Sequence, residues 1–238
     1  MTTTRRERTR AATFDEIVAT ARRLLIADGP TAVTLRAIAR DMGMTAPGLY
    51  RYVASHEDLM NVLIAALFEE VTGELEAARD GASPEVGARL LATSRAFRRW
   101  ALANPTELAL VFGSPLPGFE GQEGSPVEEA GTRFGGVFLG LFAELWAAAP
   151  FRIRDEAEMD PRLVAELQGW LPPGVPLPLG AVEVFLRCWM RLYGAVTMEG
   201  FGQLKFAISD AEALFELELA ALGDLLGATY EPPAGPGD

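Results

Sequence analysis

The sequence is poor in the residues that build disulfides, metal sites and nucleophilic catalytic centres. Its 238 residues include one cysteine, Cys188, and one histidine, His56. A single cysteine excludes an intrachain disulfide, and one Cys with one His cannot supply a Cys/His zinc site. A nucleophilic cysteine needs a base, and His56 lies in a different predicted domain. The GxxxxGK(S/T) and HExxH motifs are also missing, so we expect no enzyme, no cofactor and no metal.

Long apolar runs are missing as well. No stretch of roughly 18 uninterrupted apolar residues occurs, which argues against a membrane span. The N-terminal segment MTTTRRERTR is polar and rich in arginine, and no apolar segment of the kind found in secretory signals follows it. We therefore expect a cytoplasmic protein.

The acidic residues are distributed unevenly. The net charge is −12, which by itself disfavours binding to DNA. Residues 1–60, however, carry nine arginines against seven acidic residues, whereas residues 61–238 carry twelve basic residues against 26 acidic ones. The N-terminal end could therefore meet a polyanion that the rest of the chain repels. A solvated basic tail explains the charge equally well.

Apolar residues recur at helical spacing, and this pattern predicts an all-α protein. In the first segment Phe14, Ile17 and Ala21 share one helical face. Thr13 and Glu16 form a capping-box pattern in front of them, which predicts that this helix begins near residue 13.

The following segments have the spacing of a helix-turn-helix. Short helices are predicted after Thr34 and Thr45, with a tight turn at Gly43 between them, and a long helix from about residue 57 to 79. In a helix-turn-helix the second helix of the pair lies in the major groove of DNA. An ordinary three-helix core, with Gly43 as a simple C-cap, also fits the spacing.

The last two predicted helices, residues 181–199 and 210–226, are apolar on nearly every side. Such helices are buried on several faces, either deep within one subunit or partly against another. We expect a two-fold interface of four helices between subunits. The candidate interface residues are Phe185, Leu192, Leu214, Phe215, Leu219, Leu222 and Leu226.

Aromatic residues cluster in the acidic part of the chain. At helical spacing they either fill a core or line an apolar ligand pocket between helices. The candidate ligand-binding residues are Trp100, Phe112, Phe134, Phe138, Trp146, Trp170, Trp189 and Tyr193.

Residues 31–60, TAVTLRAIARDMGMTAPGLYRYVASHEDLM, resemble the N-terminal domain of TetR-like transcriptional regulators. The resemblance spans about residues 13–65, and the acidic remainder is similar in architecture to the ligand-binding and dimerisation domain of that family. It implies a flexible basic arm at 1–12, a helix-turn-helix domain at 13–57, a ligand-binding and dimerisation domain at 58–228, and a disordered tail at 229–238.

The same resemblance implies a homodimer that binds a double-stranded, pseudo-palindromic operator and usually represses until a small molecule, here of apolar or aromatic character, binds. Arg36 would contact guanine, and the recognition helix would open at Thr45. An activator, or less favourably an all-α ligand-binding protein or enzyme without DNA binding, is the alternative. The residues carried over to DNA contacts are Thr34, Arg36, Thr45, Ala46, Pro47, Gly48, Tyr50, Arg51, Tyr52 and His56; the family often has Lys where His56 stands.

Overall fold

A computed structural model describes residues 4–113, 124–172 and 174–233, and within these ranges the chain forms helices and no β-strand. The predicted all-α fold is confirmed. The helices are α1 (Arg5–Asp28), α2 (Leu35–Asp41), α3 (Ala46–Leu49), α4 (His56–Gly81), α5 (Val86–Ala103), α6 (Pro105–Phe112), α7 (Pro126–Ala148), α8 (Pro161–Trp170), α9 (Leu179–Gly200) and α10 (Glu212–Leu226). Short 3-10 turns occur at Pro30–Ala32 and Glu156–Glu158.

The chain separates into two compact units. One contains Met1–Val71 together with Asn104–Phe134, and the other contains Thr72–Ala103 together with Gly135–Asp238. The first unit therefore includes α6, which packs on α1, in addition to the helices of the predicted DNA-binding domain. The functional boundaries expected from the sequence stay predictions.

Helix α1 begins eight residues earlier than its pattern predicts. Thr4, not Thr13, caps it: the Glu7 amide donates to Thr4 Oγ1 at 3.3 Å, and the Thr4 amide donates to the Glu7 carboxylate at 2.7 Å. Thr13 instead lies within the helix and donates to the Thr9 carbonyl. The segment expected to be a flexible arm is therefore helical from Arg5, because the Thr4/Glu7 capping box lies before the predicted Thr13/Glu16 box.

The core of the first unit lies beneath α1 to α4. Ile17, Ile38, Leu49, Val53 and Leu63 are each fully buried in it. Helix α3 is only four residues long, whereas the sequence predicts a helix to about Val53. A helix this short is not stable alone, so burial of Leu49 and Val53 stabilises it.

In the second unit, α9 packs against α5, α8 and α10. The C-terminal tail departs from the prediction of disorder at its beginning. The Arg95 guanidinium donates to the Glu231 carbonyl at 2.6 Å, and the Tyr230 hydroxyl donates to the Glu216 carboxylate at 2.9 Å. Side-chain contacts therefore hold residues 230 and 231 in place, and the remainder of the predicted tail, 234–238, lies outside the described residues.

Candidate nucleic-acid interface and ligand cavity

The turn between α2 and α3 depends on Gly43 and on two threonine caps. Gly43 has φ 63°, a left-handed conformation that glycine adopts without steric cost. Thr34 accepts a hydrogen bond from the Ala37 amide at 3.2 Å, and Thr45 accepts one from the Gly48 amide at 3.3 Å. These caps fix where α2 and α3 begin, and because each hydroxyl only accepts in its cap, its O–H can still donate to a phosphate.

Most of the predicted DNA-contacting side chains are exposed to solvent. Tyr50 is 53% exposed, a high value for a large aromatic residue. Arg36 is exposed on α2 and has no hydrogen-bond or ion-pair partner in the part of the chain that the structure describes. The other predicted contacts that are exposed are Thr34, Thr45, Ala46, Pro47, Arg51 and His56.

Gly48 is buried, against the expectation that it brings backbone close to DNA. A Cβ added there would lie 3.1 Å from Thr45 Oγ1. Gly48 thus leaves room for the cap of α3. Its contribution to a DNA surface is indirect.

His56 is exposed as a whole residue, but one ring nitrogen is occupied. Its Nε2 lies 2.9 Å from the Val33 carbonyl oxygen, to which it can only donate. The bond connects the first residue of α4 to the segment before α2. His56 therefore positions these two segments, and its Nε2 is occupied within the protein.

The sequence identifies the basic N-terminal segment and Arg51, but it does not predict that arginines of α1 lie together with Arg51 and Tyr52 in one cluster. Arg6, Thr9, Arg10, Arg51 and Tyr52 line one surface depression, and the Arg10 guanidinium lies 5.9 Å from the centre of the Tyr52 ring. The cluster forms because α1 begins at Arg5, which fixes the arginines on a helix. The Thr4/Glu7 capping pattern was the signal that could have predicted it.

The second unit contains a small apolar cavity of about 80 Å³ that opens to solvent. Of the predicted ligand-binding residues, only Phe138 and Trp189 line it. The remaining wall comes from apolar side chains of α5, α9 and α10 and from the residues that follow α10, among them Tyr230.

The other aromatic candidates lie elsewhere. Phe112 and Phe134 pack on Phe68 in the first unit, with ring centres 5.3–5.7 Å apart. In the second unit Trp146 packs on Phe151, Trp170 on Phe185, and Tyr193 on Trp189. Trp100 is buried in α5. Phe112, Phe134 and Trp100 are core residues, whereas Trp170 is 46% exposed. Helical spacing alone does not distinguish a core face from a cavity wall.

The predicted interface residues are mostly buried within the subunit. Five of them line the cavity, namely Phe185, Leu192, Leu219, Leu222 and Leu226. Phe215 is also buried, beneath the Arg98 guanidinium. Only Leu214 is exposed. The exposed apolar face of α9 and α10 instead consists of Met190, Met198, Leu214 and Leu217, which are 42–67% exposed.

Comparison with known proteins agrees with this architecture. Residues 17–63 match the bacterial regulatory proteins of the tetR family, and residues 90–222 match the tetracyclin repressor-like C-terminal domain. The chain is 32% identical over 194 residues to an HTH-type transcriptional regulator of Mycobacterium tuberculosis. The aligned region covers 79% of this chain and 80% of the relative.

Solved structures share the fold. The crystal structure of a protein described as the regulatory protein SCO4313 has a TM-score of 0.71 at 30% identity and covers 92% of this chain and 98% of that one. The fatty acid degradation regulator FadR from Bacillus halodurans has a TM-score of 0.51 at 17% identity, with 91% and 99% covered, a likeness of fold alone.

The fold, the two-helix turn and these relatives define a DNA-binding transcriptional regulator of the helix-turn-helix type. The chain belongs to the TetR family of bacterial regulatory proteins. Membership identifies it as a regulator and not an enzyme. No helix within the described ranges has the length and apolar character needed to cross a bilayer.

Proposed function

We propose that this regulator is a dimeric repressor that leaves its operator when a small, uncharged apolar molecule occupies the cavity of the second unit. The observation that carries the proposal is the exposed beginning of α3, presented after the Gly43 turn and supported by a buried core. Arg36 supplies a guanidinium that can bond both acceptors of a guanine. Tyr50 supplies a hydroxyl for a phosphate or a base edge.

The basic cluster of Arg6, Arg10 and Arg51 supports binding to the DNA backbone. Phosphate contacts of this kind provide affinity and register, whereas base contacts provide sequence specificity. The helical start of α1 holds Arg6 and Arg10 in defined places, so they lose less side-chain and backbone freedom on binding than a flexible arm would lose.

Dimerisation is supported by the exposed apolar face of α9 and α10, with Leu214 and Leu217 on α10 and Met190 and Met198 on α9. Exposed apolar residues on two neighbouring helices are a candidate interaction surface. In an isologous two-fold contact, α9 and α10 of one subunit would pack against α9 and α10 of the other and form a four-helix interface. We refer to the helix-turn-helix, residues 34–52, as the reading head. The two reading heads of the dimer could then meet half-sites about 34–36 Å apart.

Helix α7 spans the division between the two units, with residues 126–134 in the first and 135–148 in the second. In the second unit it supplies Phe138 and Phe142 to the cavity wall, and in the first its Phe134 packs on Phe68 of α4. A ligand that displaces the cavity wall would act on this helix. Release requires that the ligand bind the DNA-free arrangement more tightly than the DNA-bound one.

The test is retardation of a duplex from the region upstream of the protein's own gene. Arg36→Ala and Tyr50→Ala should each abolish retardation while far-UV circular dichroism stays unchanged. Arg162→Ala on α8, an exposed arginine more than a hundred residues from the helix-turn-helix in the sequence, is the matched control. If both head variants bind like the unaltered protein, the reading head is assigned wrongly.

A promoter fusion separates repression from activation. Deleting the regulator should raise output from the promoter that carries the operator. A fall in output would identify an activator with the same DNA contacts.

A further inference from the structure

The chain that follows α10 forms one wall of the cavity. Gly227 ends the helix in a left-handed conformation, φ 66°, and Ala228, Thr229 and Tyr230 then lie along the cavity. We refer to residues 227–231 as the strap. The Gly227 amide donates to the Asp224 carbonyl at 3.4 Å, and the Ala228 amide donates to the Gly223 carbonyl at 2.9 Å. Beyond these two bonds, the position of the strap depends on what it packs against and on side-chain contacts.

Two helix glycines provide the seat of the strap. A Cβ added at Gly223 on α10 would lie 3.0 Å from the Ala228 carbonyl oxygen, and one at Gly87 on α5 would lie 3.4 Å from the Ala228 Cβ. Glycine inside a helix is destabilising relative to alanine. At Gly223 that cost accompanies a close approach of backbone that alanine would obstruct.

An ion pair beneath the strap acts as its latch. Arg95 on α5 donates to the Glu216 carboxylate through Nε at 2.9 Å and through Nη2 at 2.7 Å. The same Nη2 donates to the Glu231 carbonyl, and the Tyr230 hydroxyl donates to Glu216. Burial alone would raise the pKa of Glu216, but the hydrogen bonds from Arg95 and Tyr230 outweigh it and hold the pKa below its usual range. Glu216 therefore stays charged at neutral pH and accepts both bonds.

The cavity offers no partner for a charged ligand. None of the described residues that line it is charged, and the polar side-chain groups among them belong to Cys188, Trp189, Thr229 and Tyr230. Burial raises the pKa of the Cys188 thiol to about 11, so the thiol is neutral at pH 7. A charged group would lose its hydration there without compensation, which is strongly unfavourable.

We propose that the strap is the gate of the cavity: it lifts from Gly87 and Gly223 to admit an uncharged apolar ligand and closes again when Tyr230 bonds to Glu216. This inference rests on the proposed role of the cavity as the effector site. It adds the route of entry, the residues that control it and the charge of the ligand that can pass.

Stopped-flow fluorescence with N-phenyl-1-naphthylamine, a neutral probe that emits in apolar surroundings, tests the gate on the full-length protein. Tyr230→Phe keeps the ring in the wall and removes the latch bond. Association and dissociation should both become roughly ten- to 150-fold faster, the range expected from the loss of one hydrogen bond to a charged acceptor. Gly223→Ala, which presses on the strap, should speed both rates as well.

Gly140→Ala is the matched glycine control. Gly140 is an exposed helical glycine on α7 at which an added Cβ meets no neighbour, so the probe rates should not change. The sulfonated relative of the probe, 8-anilinonaphthalene-1-sulfonate, should bind at least about tenfold more weakly, because its charge would lie unpaired in the cavity. Cys188→Phe, which fills the cavity, should abolish binding of the neutral probe while circular dichroism shows a folded protein.

Unchanged rates in both Tyr230→Phe and Gly223→Ala would overturn the gate even if the neutral probe binds the unaltered protein. Equal binding of the two probes would overturn the charge selectivity. Absence of neutral-probe binding, or binding that survives Cys188→Phe, would overturn the cavity as the ligand site. DNA retardation by the unaltered protein is measured separately, so its failure would contradict the proposed regulator and not the gate.

Discussion

Arg22 on α1 and Glu107 on α6 form an ion pair with Nε and Oε1 2.9 Å apart, and it joins elements separated by 85 residues in the sequence. Glu107 is 3% exposed, so its carboxylate depends on this partner. Arg22 also donates to Asn104 at 3.0 Å and to the Glu70 carboxylate on α4. One guanidinium thus connects α1, α4 and the beginning of α6 within the first unit.

Removal of Arg22 should destabilise the first unit. In Arg22→Met the Glu107 carboxylate stays buried without its cation, and breaking a buried pair in this way costs about 3–5 kcal/mol. Urea denaturation measures the change in the free energy of unfolding.

The double variant Arg22→Met/Glu107→Leu should recover most of that loss, because it removes the buried charge as well. The control is Arg23→Met, whose pair with Asp41 is more exposed and should cost at most about 1 kcal/mol. Equal losses in Arg22→Met and Arg23→Met would show that burial of Glu107 is not decisive.

Arg10→Ala should weaken binding to every DNA sequence by a similar factor. If Arg10 contacts one phosphate, the slope of log affinity against log salt should become less steep by about 0.9. Titrations of operator and unrelated duplex at several salt concentrations measure this slope. Arg162→Ala should leave it unchanged, and an Arg10 variant with an unaltered slope would exclude the phosphate contact.

Leu217→Glu should convert a dimer to a monomer. Leu217 is 67% exposed on α10, and an isologous interface would bury the new carboxylate twice, close to its symmetry mate. Sedimentation velocity gives the oligomeric state. The control is Ile26→Glu on α1, an exposed apolar residue outside α9 and α10, which should sediment like the unaltered protein. A dimer in both variants would place the interface elsewhere.

Cys188 should make the protein less stable at alkaline pH. An unfolded thiol ionises near pH 8.5, whereas burial raises the pKa of the folded thiol to about 11. Between these values the unfolded state binds fewer protons than the folded state, so the free energy of unfolding falls as pH rises. Denaturation of the unaltered protein and Cys188→Ala at pH 7.5 to 10.5 measures this, and the variant should lack this component of the decline.

The same shift predicts slow alkylation. At pH 8 the thiolate fraction of a group with a pKa about two units higher is roughly 100-fold smaller, and iodoacetamide should react correspondingly slowly with Cys188 in the folded protein. Reaction in urea provides the control rate. Fast alkylation of the folded protein would mean that the strap and the cavity wall do not exclude solvent from the thiol.

Local sequence patterns determined the α-helices, the Gly43 turn and the location of the reading head. Caps and glycines act on neighbouring residues: Thr34 and Thr45 each accept from an amide three positions later, and Gly43 adopts a conformation that most residues avoid. The same locality explains the error at α1, where two capping boxes nine residues apart compete and the helix begins at the earlier one. Apolar stripes predicted which helices are buried, because a helix with apolar residues on a face buries that face.

Tertiary structure alone decided which buried face borders a cavity, which face of α9 and α10 is exposed, and what Gly48 and His56 contact. Phe134 and Phe138 lie one turn apart on α7 with similar burial, yet one packs in the first unit and the other lines the cavity. The strap is a stronger case of a contact that the sequence does not predict, since Gly223 and Gly87, on which it rests, are separated by more than a hundred residues. The Pro and Gly residues after residue 231 also predict disorder for this end of the chain. Such contacts depend on the three-dimensional packing of distant segments, which periodicity and capping rules do not encode.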